Sequence, residues 1–134
     1  MSRHGFSLIE ILVIITIMGL IAGIAIPKYI GHVERAKVHK AQQETRILAQ
    51  TAKTYYLDNG DYPNALEDLV EKPSGAGSWH GPYLEYALPA DPWKQPYNYE
   101  KPGNDKRDFD IYSYGADGQP GGEGNNQDIG HWIR

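Results

Sequence analysis

The 134-residue sequence predicts an α+β fold: one long N-terminal helix, half of it transmembrane, packed against a small antiparallel sheet that ends in a glycine-rich C-terminal loop. Three observations predict it. The run from Phe6 to Ile26 contains no Lys, Arg or Asp, and its only ionisable side chain is Glu10. A narrower apolar stripe at helical spacing continues to about Tyr56. Beyond it lie two short alternating segments, residues 97–100 and 109–114, and a tail with five glycines between positions 115 and 124.

The first element is set by length and polarity. As a helix rising roughly 1.5 Å per residue, residues 6–26 extend about 31 Å, the thickness of a bilayer's hydrocarbon core. A carboxylate in such a segment costs on the order of 2.5–3.5 kcal/mol, so Glu10 is expected to have a task. Only Met1–Gly5 precede the run. That is too short for an ordinary secretory signal, whose cut site follows its apolar core. A cut between Gly5 and Phe6 would instead leave the apolar core in the mature chain.

Gly5-Phe6-Ser7-Leu8-Ile9-Glu10 and the helix behind it resemble the leader of type IV pilins and type II secretion pseudopilins. The resemblance implies cleavage after Gly5 by a prepilin peptidase, N-methylation of the new terminus Phe6, and an assembly role for Glu10. In a filament, the α-amine of Phe6, whose ordinary pKa is near 8, would be the ion partner of Glu10 on a neighbouring subunit. A paired intramembrane charge costs far less than a lone one.

Length and charge bound the rest. The chain accommodates one soluble domain of roughly 100 residues behind a single anchor. The net charge of −4, which loss of Arg3 would take to −5, argues against nucleic acid as a partner. With no cysteine there is neither a disulfide framework nor a cysteinyl zinc site. The basic residues Lys28, Arg35, Lys37 and Lys40 follow the anchor and would by themselves place its C-terminal side in the cytoplasm. The family resemblance implies the reverse orientation.

Gly19, Gly23 and Pro27 weaken the apolar helix, and the Gly-xxx-Gly spacing also permits close helix contact in lipid. From Pro27 onward, Ile30, Val33, Ala41, Leu48, Ala52 and Tyr55 form the stripe, opposite Glu34, Lys37, Lys40, Gln43, Arg46 and Lys53. Asp58-Asn59-Gly60 is the expected stop. His32 and His39, two turns apart, are expected on a solvated face. A short second helix follows, with Asn64 as cap and Glu67 as its reciprocal partner. Residues 82–96 hold four prolines among Tyr83, Tyr86 and Trp93, which excludes a central strand and predicts an extended, aromatic-packed crossing. Residues 97–100 and 109–114 are expected to pair through a hairpin loop.

The tail from Gly115 to Trp132 carries oxygen-bearing Asp117, Glu123, Asn125 and Asp128. Calcium takes six to eight oxygens, backbone carbonyls included, so a glycine-rich loop with a few acids suits it. The interval from Asp117 to Asp128 has EF-hand length, with Gly122 at the sixth position. It fails as an EF-hand because Gln119 and Gly121 stand at the third and fifth positions and an Asp at the twelfth. The segments Asp91-Pro92-Trp93-Lys94-Gln95-Pro96-Tyr97, Gly115-Ala116-Asp117-Gly118 and Asp128-Ile129-Gly130-His131-Trp132 resemble those of major pseudopilins of type II secretion. The resemblance implies a pilin fold with a calcium loop in which Asp117 and Asp128 give side chains, carbonyls such as those of Tyr114 and Glu123 contribute, and Asn125 is a further candidate where an acid would suit better.

The resulting expectation is a structural subunit and not an enzyme, since no His stands near a nucleophile in a recognisable context. Residues 1–5 would be the leader, 6–26 the transmembrane and assembly helix, and 27–134 a periplasmic domain. The chain would be a single-pass protein of the bacterial inner membrane. It would polymerise with itself and meet minor pseudopilins, the prepilin peptidase and the inner-membrane secretion platform. A type IV pilin for adhesion or motility shares the leader and stays open as an alternative, as does a membrane-anchored periplasmic binding module.

Overall fold

The structure, a computed structural model, describes residues 5–133, except for the side chains of Pro27 and Lys28. The expected leader upstream of Gly5 therefore lies outside the described residues. Two compact units divide the chain, residues 1–35 and 36–134. A single helix, α1 (Leu8–Asn59), contributes to both and continues through Gly19, Gly23 and Pro27.

In the first unit the described side chains of α1 are left largely uncovered. Every Leu, Ile, Val and Met from Leu8 to Ile26 is at least 43% exposed. A Cβ added at Gly19 or Gly23 would meet only open space. Among the described residues this is the one helix long and apolar enough to cross a membrane. Apolar side chains with no protein to cover them need lipid or other helices.

The second unit is held by an aromatic-rich core. Leu48, Ala49, Ala52 and Tyr55 of α1 meet Leu66, Leu69, Tyr97, Phe109 and Ile111. Thr45 and Ala41 complete the buried face, whereas Ile30 and Val33 of the expected stripe remain exposed in the first unit. The helix stops as its sequence dictates. Gly60 takes φ +80°, and its N–H donates to the carbonyl of Tyr56 at 2.8 Å.

The expected second helix is a single 3-10 turn, Leu66–Leu69. Its cap differs from the expectation: Asp68, not Glu67, accepts from the N–H groups of Asn64 (2.8 Å) and Ala65 (3.2 Å). The turn begins one residue later than the Asn64 cap requires, so the residue three positions beyond its cap, Ala65, is Asp68.

The two alternating segments form β1 (Asn98–Glu100) and β2 (Asp110–Ser113), antiparallel with Tyr99 opposite Ile111. A third strand, β3 (Ile129–Gly130), pairs with the other edge of β2 in the order β1-β2-β3. It falls inside the tail that the sequence presented only as a loop. The described C-terminal end is tied by protein contacts: the His131 N–H donates to the Ile111 carbonyl, and Arg46 Nη2 to the Ile133 carbonyl at 2.8 Å.

Candidate functional sites at the helix start and the C-terminal loop

At the start of α1, the Ser7 N–H donates to Glu10 Oε2 at 3.4 Å. Ser7-Leu8-Ile9-Glu10 matches half of a capping box, in which a residue three positions after the cap reaches back to the cap's own N–H. The sequence held this signal in its Ser-x-x-Glu spacing, beside the pilin-like reading of the same residues. A carboxylate in the first turn also faces the positive end of the helix dipole. Both Phe6 and Glu10 are exposed, and the Glu10 carboxylate makes a long, weak bond to the start of its own helix.

The C-terminal loop is ordered by contacts that use glycines where only glycine fits. Gly115 takes φ +73°, and a Cβ there would stand 2.8 Å from the carbonyl oxygens of both Asn125 and Gln127. The Ala116 N–H donates to the Asn125 carbonyl at 2.9 Å, closing the loop's mouth. Inside it, Gly124–Asn126 makes a 3-10 turn, with the Asn126 N–H on the carbonyl of Glu123.

The predicted ligands separate on this frame. Asp128 is partly buried; its Oδ2 accepts the Gly121 N–H at 3.0 Å, and its Oδ1 is buried with no partner among the described residues. Asp117 is exposed and its Oδ1 accepts the Gln119 N–H at 3.1 Å. The Glu123 side chain is exposed, while its carbonyl and that of Asn125 point into the loop's own hydrogen bonds. Tyr114 is half-buried, its hydroxyl 3.3 Å from that of Tyr112. Among the described residues, no three His, Asp or Glu side chains converge as a metal cluster. Any cation here would therefore rely on backbone carbonyls beside a carboxylate. A buried carboxylate oxygen lacking a partner is costly, and an all-oxygen donor set suits a hard cation such as calcium. The residues present fit that ion.

Sequence reasoning missed the support beneath the loop. Asp91, 4% exposed, uses Oδ1 to accept the N–H groups of Trp93 (3.0 Å) and Gln95 (2.8 Å). Its Oδ2 accepts the hydroxyl of Ser113, 1% exposed, and Ser113 Oγ in turn accepts the Gly115 N–H at 3.1 Å. Asp before Pro is a turn signal; nothing local pointed to Ser113 as its partner.

A second carboxylate network closes the β1–β2 loop. Asp110, fully buried, is gripped by Arg107 through Nε and Nη2 and by the Asn104 N–H at 2.7 Å. Burial would raise the pKa of Asp110, but Arg107 and the Asn104 N–H outweigh it and hold it below the usual carboxylate value. The Arg107 guanidinium lies 4.4 Å from the centroid of the Trp132 ring. Next to it, the Ile111 N–H donates to His131 Nδ1 at 3.2 Å, and burial pushes the His131 pKa down.

Comparison with known proteins places these features in a family. Residues 28–132 match the family model described as type II secretion system (T2SS), protein G, and residues 1–26 match the prokaryotic N-terminal methylation motif. The type II secretion system core protein G of Pseudomonas aeruginosa is 42% identical, over 98% of this chain and 96% of its own length. That of Vibrio cholerae serotype O1 is 40% identical, over 98% and 92%. The crystal structure of the major pseudopilin from the type 2 secretion system of enterohaemorrhagic Escherichia coli superposes with a TM-score of 0.64 at 34% identity. That match covers 77% of this chain and 92% of the other.

Proposed function

The chain belongs to the type II secretion system protein G family and is a major pseudopilin; on that premise we propose how its two ends serve the filament. The family is structural, so the work is assembly. The apolar N-terminal helix anchors a globular domain to a membrane.

In this reading the membrane is the bacterial inner membrane, and the domain stands in the periplasm despite the basic residues that follow the anchor. A prepilin peptidase cuts between Gly5 and Phe6, and the new terminus is N-methylated. Glu10 then leaves its weak contact with Ser7 and accepts the α-amine of Phe6 on the next subunit. Minor pseudopilins and the inner-membrane secretion platform are the further partners. The observation that carries the reading is the wholly exposed apolar stretch of α1 with one carboxylate held by a single 3.4 Å bond.

At the other end, Asp128 and Asp117 hold calcium, with Tyr114, Glu123 and Asn125 as further oxygen donors. The ion supplies the positive charge that the buried Asp128 Oδ1 lacks. Support comes from that orphaned oxygen and from the oxygen-only surroundings.

The experiment deletes the gene and complements it with wild-type or Glu10→Ala protein. Exoprotein release should stop in the deletion strain, return with wild type and stay absent with the variant. Normal release and filaments from Glu10→Ala would reject the pairing. Lost twitching with intact release would favour a type IV pilin.

A further inference from the structure

The turn at residues 91–97 and the C-terminal loop are separate in sequence yet meet at two points. The first is the chain of bonds from Asp91 through Ser113 to Gly115. Ser113 Oγ donates its one proton to Asp91 Oδ2 and so turns a lone pair toward the Gly115 N–H, 3.1 Å away. Gly115 is the residue at which the two ends of the loop touch, with no room for a Cβ against Asn125 and Gln127. The second point is Gln95: a Cβ on Gly118 would lie 2.6 Å from its amide oxygen, so the loop backbone rests on that side chain. The Gln95 backbone N–H is in turn bound by Asp91 Oδ1.

We propose that Asp91, Ser113 and Gln95 are positioning residues for the C-terminal loop, fixing its mouth and one wall so that the oxygens around Asp128 converge on a calcium ion. The inference rests on the calcium reading of the loop given above. None of the three touches the ion. Asp91 sets the hydroxyl of Ser113, Ser113 sets Gly115, and Gln95 sets Gly118. Glycines lose the most entropy on ordering. A loop with five of them binds an ion weakly unless something else has already ordered it. The buried carboxylate–hydroxyl–amide chain does this, and the ion finds its site formed.

The test measures calcium affinity by titration calorimetry on the full-length chain in detergent, for wild type, Ser113→Ala, Ser113→Thr, Gln95→Ala, Asp91→Asn and the double variant Asp91→Asn with Ser113→Ala. Far-UV circular dichroism at saturating calcium checks that each variant is folded. Ser113→Ala removes both bonds of the hydroxyl; loss of the one that reaches the loop, about 0.5–1.5 kcal/mol, should weaken calcium binding roughly 2- to 13-fold. Ser113→Thr, which keeps the hydroxyl, should stay within about 2-fold of wild type. Gln95→Ala, at a half-exposed site, should fold in any case and weaken binding by a smaller factor. Asp91→Asn combined with Ser113→Ala should be little worse than the stronger single change, because both act through one chain of bonds. Folded Ser113→Ala and Gln95→Ala proteins with wild-type affinity would overturn the positioning role alone. A wild-type chain that binds no calcium would overturn the calcium reading and this role with it.

Discussion

The start of α1 and the C-terminal loop each hold one under-satisfied carboxylate, and they differ in what surrounds it. Glu10 is exposed at the start of a long helix, in a segment with no buried apolar residue among those described. Asp128 Oδ1 is buried in a loop whose order comes from specific bonds between distant residues. The helix leaves an apolar surface uncovered; the loop leaves one buried carboxylate oxygen without a partner among the described residues. In the proposed function another subunit meets the first need and a small ion the second.

The comparison predicts that the largest effect comes from Glu10→Ala. Each subunit would lose a charge pair in a setting where a lone charge costs on the order of 2.5–3.5 kcal/mol. Repeated along a filament, that loss should abolish assembly while the domain's thermal midpoint stays at the wild-type value. A lowered midpoint would mean that Glu10 also stabilises the fold.

Next come two matched truncations. Ile111→Ala removes a fully buried side chain of β2 and should cost about 2–5 kcal/mol of domain stability. Ile14→Ala, among exposed helix residues, should leave the thermal unfolding of the domain unchanged. Equal effects would break the division between the two regions.

Asp128→Ala should remove the calcium response. At a hundred times the dissociation constant, calcium should stabilise the wild-type domain by roughly 2.7 kcal/mol, several degrees in melting temperature. The variant should show no such rise, and in EDTA it should stay within about 1 kcal/mol of wild type, having lost one hydrogen bond and one orphaned oxygen. Asp117→Ala should reduce the response as well. A full calcium shift in Asp128→Ala would remove the ion from this loop.

The smallest effect concerns pH. His131 has a depressed pKa in the folded chain, so below the unfolded value near 6.5 the unfolded state binds more protons. Its contribution is fully present above that value and is lost as pH falls toward the folded pKa. Asp110 behaves alike at lower pH: its contribution is present above the ordinary Asp value and is lost as pH falls through its depressed folded pKa. The hydrogen bond at stake for His131 is worth about 0.5–1.5 kcal/mol. His131→Asn, whose side-chain oxygen can accept the Ile111 N–H, should flatten the melting-temperature profile between pH 7 and 5. An unchanged profile would exclude His131 as its source.

The extent of α1, its stop at Gly60, the membrane-suited run and the pair β1–β2 were all legible in the sequence. Their causes are local: an uninterrupted apolar composition, a glycine able to adopt positive φ, and alternation of side chains at period two. The 3-10 turn departed by one residue because its cap depends on which backbone N–H groups the neighbouring chain leaves open. Strand β3 was hidden because two residues, Ile129 and Gly130, carry no period; they become a strand only when the edge of β2 is there to pair with.

The sequence by itself thus determined the helix, its anchor and the residue types available to the loop. The tertiary structure alone decided that Asp110 meets Arg107, that Asp91 meets Ser113 across 22 positions, and that one oxygen of Asp128 has no partner among the described residues. The physical reason is range. Backbone conformation and hydropathy act over a few residues and leave periodic marks. The burial of a polar atom depends on what the folded chain brings beside it, and that leaves no mark on the residues in between.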